Sequence, residues 1–520
     1  MTVARPQTQD NSHAAPAGQL LISDSQLSKL SEFVATQMGL HFPKERWQDL
    51  ERGIASVARE FGFNDAESCI QWLISSPLTR NQIEVLASHL TVGETYFFRE
   101  KKIFEILEEH IFSELIHSRA GTEKRLRIWS AGCATGEEPY SIAILLSKMI
   151  PDIRDWNITI LATDVNPHFL KKASIGAYNE WSFRDTPSWV KERYFKKTKE
   201  NRFEILPHIK KMVTFSYHNL AEDAYPSLTN NTNAMDVIFC RNVLMYFGQD
   251  SQKKVIQNLY RCLVDGGYLI VSPSETSHVL FSQFAVVNFH DAIFYKKQGA
   301  GIQAQWPGIR GYEEIINQQL PAVPELETPE PEIEYKAEKP ISEIFPSAAE
   351  PKQPIQDIYA EAKALYEQGR YEEAEEKIGG EGGFDAKAME LLSRVYANQG
   401  KLSEAVELCE KAIATDKLNP GSHYLLATIL QEQGRVEEAT ASLKRALYLD
   451  QNFVLAHFAL GNLTKQQGKF KESVKHFENA LFLLKKYRQE DVLIESEGMT
   501  AGRLMEIIEA LRGRFRVASV

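Results

Sequence analysis

The stretch Arg127–Leu146, RIWSAGCATGEEPYSIAILL, decides how the middle of this chain folds. An apolar, strand-like run ends at Ala131, Gly132 and Gly136 punctuate a short loop, and helical apolar spacing resumes from about Glu138 or Pro139. Strand, glycine loop and helix in that order make the first unit of an open α/β sheet, which takes its ligands at the carboxyl ends of its strands. The loop is not the GxGxxG dinucleotide fingerprint, and Glu137 and Glu138 place negative charge where a pyrophosphate requires none. A diphosphate cofactor is therefore disfavoured, and a cationic or zwitterionic one is admitted.

Outward from that unit, strands are predicted at ITILATD (158–164), MDVIFCR (235–241), YLIVSP (268–273), FAVVNF (284–289) and AIFYKK (292–297). The intervening segments IAILLSKMI and VIQNLYRCLV have helical spacing, so residues 93–298 read as a Rossmann-like α/β domain with a mainly parallel sheet. S-adenosylmethionine, with a sulfonium, an ammonium and no phosphate, suits the glycine loop. Asp164, ending the second strand, either accepts hydrogen bonds from both ribose hydroxyls or caps the next helix. Arg241, Asn242 and Tyr246 follow the third strand, where Arg241 is either a cofactor contact or half of a buried structural ion pair. Asn219 and Leu220, in FSYHNL, either flank an adenine or form a turn.

The flanks are of other kinds. Residues 1–19 are polar and rich in Ala and Pro, without the apolar core of a secretion signal, and are expected to be a disordered tail. Residues 20–92 form a small helical domain: Leu27, Leu30, Phe33, Val34 and Met38 share a face, Trp47, Leu50, Ile54, Val57 and Phe61 share another, and Ser23 with Gln26 spells a capping box. Residues 299–355 are a Pro/Glu-rich linker containing nine of the 21 prolines. From 356 to 487 the phrases YEQGRYEEA, ANQGKLSEA, QEQGRVEEA and KQQGKFKES recur, with glycines at 369, 400, 434 and 468 and small residues Ala374, Ala405, Ala439 and Ser473 five positions later. The 34-residue step between the later units resembles the tetratricopeptide repeat, whose small residues admit close helix packing. Residues 488–520, with Leu504, Ile507, Ile508 and Leu511 on one face, are expected to cap the array as a helix.

Composition excludes several functions. A net charge of −11 argues against nucleic-acid binding, and no apolar run reaches the roughly 20 residues of a membrane span. Five scattered cysteines without CxxC spacing indicate neither a disulfide framework nor a metal site, which fits a cytoplasmic protein. Between Lys171 and Thr214, eleven Lys/Arg face five Asp/Glu, a local +6 that is either a solvated surface or a docking face for an acidic partner.

In order, TxxxTYFFRE (91–100), SAGCATGEEPYS (130–141), ATD (162–164), HNL (218–220), FCRNVLMYF (239–247) and the closing hairpin resemble the protein-glutamate methyltransferases of bacterial chemotaxis, the CheR type. The resemblance covers about residues 20–298, and the repeats are similar to those of a subset of that family. It implies methyl transfer from S-adenosylmethionine to glutamate side chains on the cytoplasmic bundle of chemoreceptors (methyl-accepting chemotaxis proteins), forming methyl esters for sensory adaptation. Carried over by motif, the cofactor contacts are Thr95, Arg99, Glu137, Asp164, Asn219, Leu220, Arg241 and Asn242. Arg99 orients a carboxylate, Tyr246 lines the methyl-transfer pocket, and no metal takes part. Because a glutamate is already ionised near neutrality, no general base is expected.

Further expectations follow from the resemblance and from position along the chain. Gly93 falls where some members have Asn, and the rings of TYFF are expected to seal the junction between the helical and α/β domains. Residues from about 172 to 216 match the family's inserted β-subdomain, which in some members grips a receptor tail. The copy here is longer, so tethering to an unidentified protein or peptide partner is expected of the repeats. The competing readings are a methyltransferase acting on a small molecule and a repeat-based scaffold that binds the cofactor without catalysis.

Overall fold

The structure is a computed structural model that describes residues 22–75, 78–121, 123–221, 225–289, 292–298, 355–379 and 385–517. The expected N-terminal tail and nearly all of the linker lie outside the described residues. The first helix, α1 (Asp24–Met38), opens with the expected capping box, Ser23 accepting from the Gln26 N–H while the Gln26 side chain accepts from Ser23. Helices α2 (Trp47–Glu60), α3 (Ala66–Ser75) and α4 (Arg80–Leu90) close around Leu30, Val34, Leu50, Ile54, Leu73 and Leu86, all fully buried. Val165 and Tyr246, from the α/β part, pack against this helical core, so the two parts share a wall.

Helix α5 (Lys101–Ile106) runs through a π-helical turn, Leu107–Ile111, into α6 (Phe112–Arg119). Then come β1 (Arg125–Ala131), α7 (Glu137–Met149), β2 (Asn157–Asp164) and α8 (Pro167–Ile175). The insert holds β3 (Ala177–Tyr178), α9 (Ser188–Tyr194), β4 (Phe195–Lys197), β5 (Phe203–Ile205) and the single turn α10 (Pro207–Lys210). The main sheet resumes with β6 (Val213–Tyr217), β7 (Met235–Phe239), α11 (Gln249–Cys262), β8 (Leu263–Ile270), β9 (Ala285–Phe289) and β10 (Ala292–Lys296). Its order is β6-β2-β1-β7-β8-β10-β9, with five parallel strands followed by an antiparallel hairpin. The four inner parallel strands are buried on both faces, which is why they read as continuous apolar runs.

Three details differ from the sequence reading. The strand expected at 268–273 begins at Leu263, and the Asp265–Gly267 stretch is a bulge beside the Met235–Val237 segment of β7; a Cβ on Gly267 would stand 3.0 Å from the Met235 carbonyl. Val213–Tyr217 pairs with β2 as the edge of the main sheet, whereas the three-stranded insert sheet is confined to residues 177–205. The rings of TYFF do not seal the helical domain: Phe97 stacks on Phe183 at 4.9 Å and meets Tyr178 and Phe195 edge-on, while Phe98 packs on Phe104. They anchor the insert to the α/β core instead, because the insert supplies the larger aromatic surface.

Among the described residues, Ile355–Gly379 form a unit of their own, a helical hairpin of α12 (Ile355–Glu367) and α13 (Tyr371–Gly379). The remaining repeat helices are α14 (Ala386–Asn398), α15 (Leu402–Thr415), α16 (Pro420–Glu432), α17 (Val436–Leu449), α18 (Val454–Gln466) and α19 (Phe470–Leu484). The closing helix, α20, spans Ala501–Val517, and residues 488–500 before it are a non-helical strap. The small residues of the repeat act as the period predicts: Ser473 donates to the Gly461 carbonyl at 2.7 Å, and a Cβ on Gly461 would lie 2.5 Å from the Phe477 ring.

These repeat helices belong to the same compact unit as the described residues between 22 and 297. Glu432, at the end of α16, meets the starts of β1 and β2: its Oε2 lies 3.8 Å from Arg127 and 3.9 Å from Arg125, and its carbonyl accepts from Asn157 at 2.6 Å. Asn233 donates to the same carboxylate at 2.8 Å. Asn233 satisfies one carboxylate oxygen, while Oε2, without a hydrogen bond among the described residues, faces the two guanidiniums as a charge alone.

Candidate functional site

A pocket opens at the carboxyl ends of β1, β2, β6 and β7 and encloses about 730 Å³ of space, part of it open to solvent. The strand ends supply Gly132, Ala134, Asp164, His218, Asn219, Leu220, Asn242, Val243 and Tyr246. The helical domain supplies the facing wall with Met38, Leu40, His41, Phe42 and Arg46, and Leu90, Thr91 and Val92 continue it. Gly132 has φ +82°, and a Cβ there would lie 2.4 Å from Val243, so the loop after β1 requires glycine.

Asp164 is not the helix cap: Asn166 is, accepting from the His168 and Phe169 N–H groups. The Asp164 carboxylate instead accepts from the Ala134 N–H at 2.9 Å and the Asn166 N–H at 2.8 Å. Burial pushes its pKa up to about 6 against those bonds. Each oxygen keeps a second acceptor direction, which suits a pair of ribose hydroxyls. His218 is packed edge-on to Trp129 and Tyr225, and burial, with Arg503 nearby, lowers its pKa to about 3. Its Nε2 has no hydrogen-bond partner among the described residues, although the ring lines the pocket. An orphaned buried nitrogen beside an acceptor carboxylate and a glycine loop fits a polar nucleoside ligand.

The other expected residues separate into two groups. Asn219, Leu220, Asn242 and Tyr246 line the pocket. Asn219 also serves as a turn, donating to the Gln37 carbonyl at 3.3 Å and accepting from the Ala221 N–H at 3.0 Å, so it ties α1 to the loop after β6. Asn242 sits at φ +56°, held there by Glu275, whose carboxylate accepts from the N–H groups of Asn242, Val243 and Met245. Thr95, Arg99, Glu137 and Arg241 lie outside the lining. Arg99 donates to the Glu94 carbonyl at 2.7 Å. Arg241 is buried and paired with Glu138 at 2.9 Å and Glu100 at 3.0 Å, and it also donates to the Arg99 carbonyl. Glu137 accepts from Thr135 and Ser182, and burial raises its pKa.

Sequence reasoning missed the helical-domain wall. Residues 40–46 fall between periodic segments and carry no pattern, yet Arg46 lies over the rings of Phe42 and Tyr246 at 5.1 and 5.0 Å. Gly93 is explained by tertiary contact: a Cβ there would stand 2.5 Å from the ring of Phe169, which lines the pocket. Phe169 fills the space that a side chain at residue 93 would need.

A seven-stranded mixed sheet with a glycine loop after its first strand and an acid after its second is a nucleoside-binding α/β architecture, and the family match below makes it an S-adenosylmethionine-dependent methyltransferase. Residues 93–293 match the family model described as the CheR methyltransferase, SAM binding domain, and residues 359–423 and 396–463 match tetratricopeptide repeat models. The chain is 31% identical to a chemotaxis protein methyltransferase of Borreliella burgdorferi over 49% of its own length and 89% of that protein. It is 28% identical to chemotaxis protein methyltransferase 2 of Vibrio cholerae, covering 54% of this chain and 96% of that one. With a probable chemotaxis protein methyltransferase of Rhizobium etli the identity is 35%, over 39% and 75% of the two chains. The chain belongs to the chemotaxis protein methyltransferase family, and its cofactor is S-adenosylmethionine. Among the described residues no helix is long and apolar enough to cross a membrane.

Proposed function

We propose that this chain esterifies glutamate side chains on the cytoplasmic part of chemoreceptors, working from the cytosol. The observation that carries the reading is Arg46, a guanidinium held in the pocket wall over two aromatic rings; its Nε lies 3.6 Å from the exposed Asp49 carboxylate, and its other donors can receive an anionic acceptor. S-adenosylmethionine, when bound, supplies an electrophilic methyl group. A glutamate with a pKa of about 4.3 meets it already ionised, so no proton has to be removed. His218 agrees with this, since it stays neutral until about pH 3 and takes no proton near neutrality.

The protein's task is then to strip water from the carboxylate and aim it. Met38, Leu40, Val92 and Phe169 give an apolar wall, and Tyr246 is fixed by the His41 N–H, which donates to its carbonyl at 2.7 Å. Asp164 and His218 are assigned to the nucleoside end and Arg46 to a carboxylate group; Arg99, which lies outside the pocket lining with its guanidinium on the Glu94 carbonyl, keeps the carboxylate-orienting role that the motif resemblance implies. Arg99→Ala should abolish methyl transfer while circular dichroism stays unchanged; near-normal turnover would remove its role. The deciding experiment incubates the protein with methyl-labelled S-adenosylmethionine and receptor-containing membranes. Base-labile label on a receptor is expected, and label on a metabolite, or none, overturns the reading.

A further inference from the structure

A strap of the chain lies against its repeats. Beyond α19 the strap is knitted to itself: the Leu493 N–H donates to the Met499 carbonyl at 3.0 Å, and the Ser496 hydroxyl reaches the carbonyls of Leu493 and Met499 at 2.6 and 3.0 Å. Leu493 and Met499 are buried in the repeat core. That anchoring leaves Glu495 and Glu497 at φ +66° and +54°, a conformation side chains other than glycine rarely adopt. What holds them is Arg394 of α14, ion-paired with Glu495 and 3.4 Å from Glu497. Glu497 also accepts the Leu228 N–H at 2.8 Å, and Leu228, from the loop between β6 and β7, is buried in the repeat core.

We propose that the repeat face around Arg394 is a docking site for an acidic peptide segment of a partner protein, with carboxylates at alternate positions, and that residues 489–500 fill it as a built-in competitor. A guanidinium and a backbone N–H point at two carboxylates two residues apart, which is complementarity of both charge and spacing. Gly421 provides the room, since a Cβ there would lie 3.2 Å from the Glu495 Oε1. The strap is imperfectly held. Its tip sits in left-handed backbone, and Glu390, bonded to Ser422 and Asn419, is close enough to Glu495 for the like charge to add to burial in raising the Glu390 pKa. A partner segment that meets Arg394 without backbone strain competes with it.

The test titrates the full-length protein with a fluorescein-labelled peptide of residues 489–500, followed by anisotropy. Replacing residues 489–500 by a glycine–serine linker of the same length removes the competitor with its Leu493 and Met499 anchors, and that variant should bind the peptide about ten-fold or more tightly than the wild type does. Changing both peptide glutamates at the positions of Glu495 and Glu497 to glutamine, or adding Arg394→Gln to the variant, should abolish binding. The proposal is overturned if the variant binds no better than wild type, or if either change leaves its affinity intact. Hydrogen exchange supplies a second reading: peptide should restore the protection of the Leu228 N–H that the glycine–serine variant loses, and protection that never returns counts against the site.

Discussion

Burial holds the Asp164 carboxyl at about 6 while backbone N–H groups of Asn166 and Ala134 pull it the other way. Ribose hydroxyls donate best to the ionised form, so binding should lower that pKa and cofactor affinity should hold above pH 6 and decline below it, by about ten-fold per unit. Calorimetric titration between pH 5 and 8 checks this. Asp164→Ala removes charge-assisted acceptors worth about 1.5–3 kcal/mol, so affinity should fall about ten- to a hundred-fold. Gly93→Asn tests a different contact. The new side chain must displace Phe169 from the pocket wall, so cofactor binding should weaken, and Phe169→Ala in the same chain should recover part of it. An unchanged affinity in Gly93→Asn would mean that the ring yields without cost.

At the scale of elements, the start of β1 and the end of α16 are joined by one carboxylate. Arg125 and Arg127 are buried, and Glu432 is the acid that faces both. Glu432→Ala leaves two guanidiniums without that partner and should cost about 3–5 kcal/mol in denaturant unfolding, far more than a surface pair would. A loss below about 0.5 kcal/mol would show that water replaces the carboxylate. Sequence reading recovered both elements but not their meeting. The period of the repeat fixes where α16 ends, and the apolar run fixes where β1 begins, yet neither pattern records that a glutamate and two arginines about 300 residues apart are buried against each other.

For the whole molecule, the repeats from α14 onward behave as part of the catalytic body rather than as a tethered module. Leu228 sits in the repeat core, and Arg503 of α20 donates to the Tyr217 carbonyl at the end of β6, beside the pocket residue His218. Scanning calorimetry should therefore show the repeats and the α/β domain melting in one transition, and a chain ended at residue 298 should melt lower. Two separate transitions, with the upper one unmoved by the truncation, would contradict this coupling.

What the sequence determined by itself is what depends on neighbours along the chain. The glycine loop between β1 and α7, the capping box of α1, the alternation of strands and helices and the spacing of the repeat glycines at φ +74° to +79° are all local consequences of residue type. Strand-end position, and then motif resemblance, singled out Asp164, Asn219, Leu220, Asn242 and Tyr246, which meet at one pocket because strand ends of a parallel sheet share an edge. Only the tertiary structure decided which charges lose water and to whom. It placed Arg241 between Glu100 and Glu138, brought Arg46 across from a patternless loop, and turned Glu495 and Glu497 onto Arg394. Desolvation and pairing are set by groups that arrive from elsewhere in the chain, and no local period encodes them.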